Sequence, residues 1–319
     1  MTAARVRVAV LDDYQGVAAT YADWTGRLPE ADVEFVRDHV ADPDRLVELL
    51  RPFEVVVAMR ERTPFPRAVL DRLPGLRLLV TTGMRNAAID IEAARERGVV
   101  VCGTGSNPYG TAELTWALIL GLARNLPAED AEVRAGGWQL QVGHDLAGEI
   151  LGVVGLGRLG TRVAAAGAAF GMDVAAWSPH LTPERAEAAG ARLVAKDELF
   201  ATAKVVTLHL VLAESTRGIV DGAVLRAMRR DAFLVNTSRG ALIDQAALRE
   251  ALEEGRIAGA GLDVYDVEPL PADHWVRRAP RTLLTPHLGY VTGRGYRVFY
   301  GEVVEDIRAF LDGASLRVL

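Results

Sequence analysis

Short β-branched runs alternate along this chain with longer Ala-, Leu- and Arg-rich stretches of helical spacing. That alternation constrains the fold most, because parallel strands need long crossovers, usually helices, to bring the chain back to the same edge. Residues 6–11, 33–36, 55–58, 76–81 and 99–102 form a first set of expected strands, with helical candidates such as 43–50 between them. Residues 150–154, 173–177, 205–210, 233–236, 259–262 and 283–285 form a second and larger set. Each set is expected to make one doubly wound parallel sheet. Residues 111–125 carry apolar side chains all round and are read as a buried helix bridging the two sets. Residues 296–311 are read as an amphipathic helix that returns to pack on the first domain.

The bulk properties fit this picture and narrow the function. A chain of 319 residues has room for two domains, and 50% hydrophobic with 24% charged residues is an ordinary globular balance. A formal net charge of −6 argues against nucleic acid as the main partner, since phosphate binding rests on clustered positive charge. The single cysteine, Cys102, excludes an internal disulfide and suits a reducing, cytoplasmic setting. Residues 1–12 lack the cationic lead and long apolar run of a signal peptide, and no apolar run approaches the ~20 residues of a membrane span. His39, His144 and His180 share no ligand spacing with other donors, so no metal is expected.

The strand at 150–154 runs into Gly155-Leu156-Gly157-Arg158-Leu159-Gly160, and a helical stretch follows. In such a turn the first glycine permits the tight bend, the second lets backbone approach a pyrophosphate, and the third lets the helix pack on the sheet. The free N–H groups at the helix start then favour the anion. This points to a Rossmann-like unit for NAD or NADP. An acidic residue is expected after the next strand to bind the ribose hydroxyls, but Ser178-Pro179-His180 stands there. A neutral hydroxyl does not repel a 2′-phosphate, so the reading leans slightly toward NADP, with Arg158 and His180 as the nearest basic groups.

Hydride transfer to a ketone needs a cation for the substrate carboxylate and an acid for the developing alkoxide. Arg239, Glu268 and His287 each follow an expected strand of the second set, at the carboxyl end where such sheets present ligands. Arg239 can grip a carboxylate with two N–H groups. His287 can give and take a proton near neutral pH, and Glu268 beside it would stabilise the imidazolium and fix its tautomer. His274, close to Glu268 in sequence, is the rival acid. His209, on the strand at 205–210, is read as a packed residue near the cofactor.

With these residues in view, the chain resembles the D-isomer-specific 2-hydroxyacid dehydrogenases along nearly its whole length. The carriers are residues 155–160, 205–210, 236–240, 262–264 with Glu268-Pro269, and 285–289. The resemblance implies α/β architecture with two Rossmann-like domains, the cofactor domain (106–287) inserted into a discontinuous substrate domain (1–105 plus 288–319). It implies a cleft that closes on binding and a homodimer formed through the cofactor domain. Arg239, Glu268 and His287 become the catalytic residues, and Asp263 the contact for the nicotinamide carboxamide. The expected nucleotide site comprises Gly155, Gly157, Arg158, Leu159, Gly160, Ser178, His209, Thr237, Ser238, Asp263, His287 and Gly289. A small anionic 2-keto or 2-hydroxy acid is the expected substrate, with Arg60, Gly83, Met84, Arg85, Arg239 and Tyr290 around it.

Three departures from the family pattern stand out. Arg85 occupies a place in the loop 83–90 where a glycine is usual, and with Arg60 it is expected to favour a substrate bearing a second anionic group. Tyr290 follows Gly289 where a small residue is common, as cap of the pocket or as packing, and Val211 replaces a common proline. Two other readings share the fold: a non-catalytic NAD-responsive corepressor-like protein, and a dehydrogenase for formate, phosphite or a phosphonate.

Overall fold

The computed structural model describes residues 5–319; residues 1–4, where the signal-peptide reading begins, lie outside the described residues. Two compact units share the chain. One contains the described residues up to Asn107 together with Val291–Leu319, and the other is Pro108–Tyr290. The crossings fall two residues beyond the expected 105/106 boundary and three beyond the expected 287/288 boundary.

The first unit is built on β1 (Val6–Val10), β2 (Ala31–Phe35), β3 (Val55–Ala58), β4 (Leu78–Thr81) and β5 (Val100–Gly103), in the order β2-β1-β3-β4-β5. All four pairings are parallel. β3 and β4 are buried at every residue, which is why they read as unbroken apolar runs with no polar face. The helix Pro43–Leu50 begins where Asp42 accepts the Asp44 and Arg45 N–H groups, with proline in its first turn, and it buries Leu46, Val47 and Leu50. The helix Gly293–Leu311 starts three residues earlier than expected because Thr292 caps it, accepting the Gly295 N–H. Its inward stripe is Tyr296, Phe299, Tyr300, Val303, Val304 and Ile307, spaced at the helical period. Cys102 is buried and its thiol is pushed up to about 11 by burial, so it is inert.

The second unit carries β6 (Ile150–Val154), β7 (Asp173–Trp177), β8 (Arg192–Leu193), β9 (Val205–Leu208), β10 (Phe233–Asn236), β11 (Gly259–Leu262) and β12 (Thr282–Leu284). Their order is β12-β11-β10-β9-β6-β7-β8, and every pairing is parallel. The chain leaves β6 toward β8 on one side and returns through β9 toward β12 on the other. The crevice at the carboxyl ends of β6 and β9 is therefore the switch point, where such sheets bind ligands.

The helix expected at 111–125 to bridge the two sets is instead a layer of the second unit, Gly110–Ala123, packed on β10, β11, β12 and the helix Arg158–Ala169. Its apolar surface all round reflects burial between a sheet and a helix. The Trp116 indole N–H donates to the carbonyl of Val163 on that second helix (3.1 Å), and Gly261 of β11 leaves room for Leu118. The helix stops where Asn125 enters the left-handed region (φ 49°), a conformation that asparagine tolerates better than most. Within this unit two strands also differ from expectation, as β1, β2, β4 and β5 of the first unit do by one or two residues at an end. β9 stops at Leu208 instead of Leu210, where the backbone turns across Gly155, and β12 sits one residue earlier than 283–285.

Candidate active site

The glycine turn sits at the switch point, and each glycine has a distinct local reason. Gly155 has φ 102° and faces the His209 backbone so closely that a Cβ would lie 2.7 Å from its carbonyl carbon. A Cβ on Gly160 would run into the Gly155 carbonyl. Gly157 faces open space beside the start of the helix Arg158–Ala169. Crowding at the first and third glycines with room at the second is the cradle a dinucleotide pyrophosphate needs, so these residues fit that group. Arg158 is exposed at the first helical position and Leu159 is partly buried behind it. Ser178 follows β7, half-buried, and its carbonyl accepts the Leu181 N–H (3.1 Å), while His180 is exposed.

His209 lies beside this turn. Its backbone N–H donates to Val154 (2.7 Å), its Nε2 stands 2.9 Å from the Thr207 hydroxyl, and its buried Nδ1 has no hydrogen-bond partner among the described residues. Burial lowers the imidazole pKa to about 4.

Three neighbouring strands deliver the remaining polar cluster. At the end of β10, Asn236 staples the turn: its Oδ1 accepts the Ser238 N–H (3.0 Å) and its amide donates to the Arg239 carbonyl (2.8 Å). The Ser238 hydroxyl donates to Leu210 (2.6 Å), and Thr237 shares a 2.8 Å hydrogen bond with Thr115. Arg239 is half-buried and donates to the Ser238 carbonyl (2.7 Å). A Cβ on Gly240 would strike the Tyr265 backbone, so the Arg239 turn packs directly on the loop that carries Glu268.

After β12, His287 adopts φ 54°, a region costly for a residue with a Cβ and one held only by strong surrounding contacts. Those contacts come from Asp263 at the end of β11. Its carbonyl accepts the His287 N–H (2.8 Å), and Oδ1 accepts the Thr285 hydroxyl (2.6 Å) and the Leu288 N–H (2.7 Å). Oδ2 accepts the Gly289 N–H (3.0 Å). His287 Nδ1 then stands 2.6 Å from Glu268 Oε2, and because a carboxylate only accepts, Nδ1 carries the proton of that bond. Glu268 Oε1 accepts the Tyr265 N–H (2.9 Å), which fixes the carboxylate in turn. The rival His274 is occupied elsewhere: Nδ1 accepts the Val276 N–H (3.4 Å) and Nε2 faces Asp266 (3.3 Å).

In the first unit, Arg60 (φ 53°) folds its guanidinium back over Gly83, donating to the Thr82 carbonyl (3.1 Å) and pairing with Glu61 (3.7 Å). Gly83 has φ 102° and donates its N–H to the Thr104 hydroxyl (2.8 Å). Met84 and Arg85 are exposed. Asn86, which the residue pattern did not single out, ties this loop down by donating to the Arg60 carbonyl (2.7 Å) and the Thr81 hydroxyl (2.8 Å). Among the described residues no group of three or more His, Cys, Asp or Glu could hold a metal ion, and no helix is long and apolar enough to cross a membrane.

A glycine turn at the switch point of a doubly wound sheet, with Arg, Glu and His on neighbouring strand ends, defines a dinucleotide-binding α/β protein. The model of the D-isomer specific 2-hydroxyacid dehydrogenase NAD binding domain matches residues 116–289, and the chain belongs to that family. It is 35% identical to a D-3-phosphoglycerate dehydrogenase of Bacillus subtilis (strain 168) over 290 residues, 90% of this chain and 54% of the relative. The chain thus spans about half the length of the phosphoglycerate dehydrogenases it matches. A glyoxylate reductase of Korarchaeum cryptofilum (strain OPF8) is 33% identical over 91% of this chain and 86% of its own length. The crystal structure of a phosphoglycerate oxidoreductase from Vibrio Cholerae o395 superposes with a TM-score of 0.92 at 37% identity, covering 97% of this chain and all of that one.

His209 should remain neutral well below the usual histidine range. A histidine NMR titration should place its midpoint near 4, so the unfolded chain takes up a proton at this residue before the folded one does. Stability contributed by the neutral form is then present above about 6.5 and is lost as pH falls toward 4. A midpoint near 6.5 would contradict the burial argument.

Proposed function

We propose that this protein passes a hydride between a nicotinamide dinucleotide and the carbonyl or hydroxyl carbon of a small 2-keto or 2-hydroxy acid. The observation that carries the reading is the 2.6 Å pairing of His287 Nδ1 with Glu268 Oε2, on the same sheet edge as the glycine turn. With the pyrophosphate of the dinucleotide held at Gly155–Gly160, its nicotinamide would supply or receive the hydride. Arg239 offers a planar guanidinium to the substrate carboxylate and draws charge from the neighbouring carbonyl. With Nδ1 given to Glu268, His287 Nε2 is left to donate a proton to the oxygen formed on reduction and to take it back on oxidation. Asp263 holds the loop that carries His287, and because it is fully buried, the contact with a nicotinamide carboxamide expected of it requires Oδ2 to be uncovered when the nucleotide binds.

The finer points follow from single residues. Ser178 in place of an acid removes the repulsion that would exclude a 2′-phosphate, so the site is read as open to NADPH as well as NADH. Arg85, exposed on the loop beside Gly83, is the candidate for a second anionic group on the substrate, whereas Arg60 is already bonded to Thr82 and Glu61. Comparing Arg85→Ala turnover on mono- and di-anionic keto acids tests this, and equal losses on both would remove it. A cytoplasmic location is our reading of the single, buried Cys102.

Replacing His287 by Asn keeps much of the side-chain volume and removes the transferable proton. Turnover should fall roughly 10²- to 10⁴-fold with nucleotide affinity nearly unchanged. Wild-type turnover in His287→Asn would exclude it as the acid.

A further inference from the structure

We propose that Tyr290 is a positioning residue for the His287 imidazole, an inference that rests on the acid/base reading of His287. Glu268 grips the imidazole at one atom, Nδ1, and because a hydrogen bond tolerates a range of angles and the second side-chain torsion of histidine is broad, coupled changes of both torsions still let the ring rock about that contact. The Tyr290 ring narrows that motion. It meets the imidazole edge to face, with centroids 5.2 Å apart and planes at 69°, an arrangement that aromatic quadrupoles favour. The carboxylate and the phenol ring therefore confine the imidazole from two sides.

Tyr290 can serve this way because the backbone before it is held from both sides. The Gly289 N–H donates to Asp263 Oδ2 (3.0 Å), and its carbonyl accepts the Thr111 hydroxyl (3.0 Å). A Cβ on Gly289 would lie 3.0 Å from Thr111 Oγ1 and 3.2 Å from Asp263 Oδ2, so no larger residue fits between them without displacing one. Asp263 thus anchors both the backbone of His287 and the residue that precedes the ring packed against it. Proton transfer requires Nε2 within hydrogen-bond reach and in line with the reacting oxygen, and a ring free to rotate spends part of its time out of line. Loss of the Tyr290 ring should accordingly appear in kcat.

The test measures kcat, the KM for the keto acid and nucleotide affinity in Tyr290→Ala, Tyr290→Leu and Tyr290→Phe, with His287→Asn alongside. Tyr290→Ala and Tyr290→Leu should each lose roughly 3- to 10-fold in kcat with KM and nucleotide affinity nearly unchanged, the worth of one aromatic pair. Tyr290→Phe, which keeps the ring, should restore kcat. Tyr290→Leu keeps apolar bulk and covers the case in which Tyr290→Ala does not fold. Undiminished kcat in Tyr290→Leu, or an equal loss in Tyr290→Phe, overturns the inference. If His287→Asn remains fully active, the acid/base reading itself falls; if His287→Asn is inactive while Tyr290→Leu is unimpaired, only the role of Tyr290 falls.

Discussion

A carboxylate wholly removed from water holds this site together. Asp263 is fully buried, and burial pushes its pKa up against the pull of the hydrogen bonds it accepts. An uncompensated buried charge would be costly, and the Thr285 hydroxyl with the Leu288 and Gly289 N–H groups supplies the compensation. The three donors lie 22 to 26 residues further along the chain, on either side of His287. Satisfying one buried ion therefore bends the chain around the histidine and offsets the strain of its φ of 54°.

The same economy appears at the switch point. Gly155 and Gly160 are crowded by backbone and Gly157 is open, so the room for a pyrophosphate is created by close packing on both sides of it. Gly240 repeats the device two strands away, after β10, bringing the Arg239 turn against the loop of Glu268. Glycine is used at these points to let main chains touch, and the charged side chains flanking them gain fixed positions as a result.

Much of this was legible in the sequence, for physical reasons that can be named. β3, β6, β7, β10 and β11 fall at their expected bounds, because short apolar runs flanked by charge or glycine have few other ways to fold. β8, two residues long, carries no periodicity by which a sequence could announce it. The helix Gly110–Ala123 was expected to bridge the two sets because an apolar surface all round reports burial without saying against what. Arg239, Glu268 and His287 stood out by residue type and by their places after strands. Asn236, Asn86 and Thr285 did not, since their contribution lies in the hydrogen bonds they make, and a small polar residue next to a turn is ordinary.

The claim that this cluster performs hydride transfer is tested most directly by following NADH and NADPH oxidation at matched concentrations against glyoxylate, hydroxypyruvate, phenylpyruvate, 2-oxoglutarate and phosphonopyruvate. Turnover is expected on at least one of these acids, with NADPH accepted as well as NADH. Silence across the panel, with nucleotide binding still measurable, would contradict it.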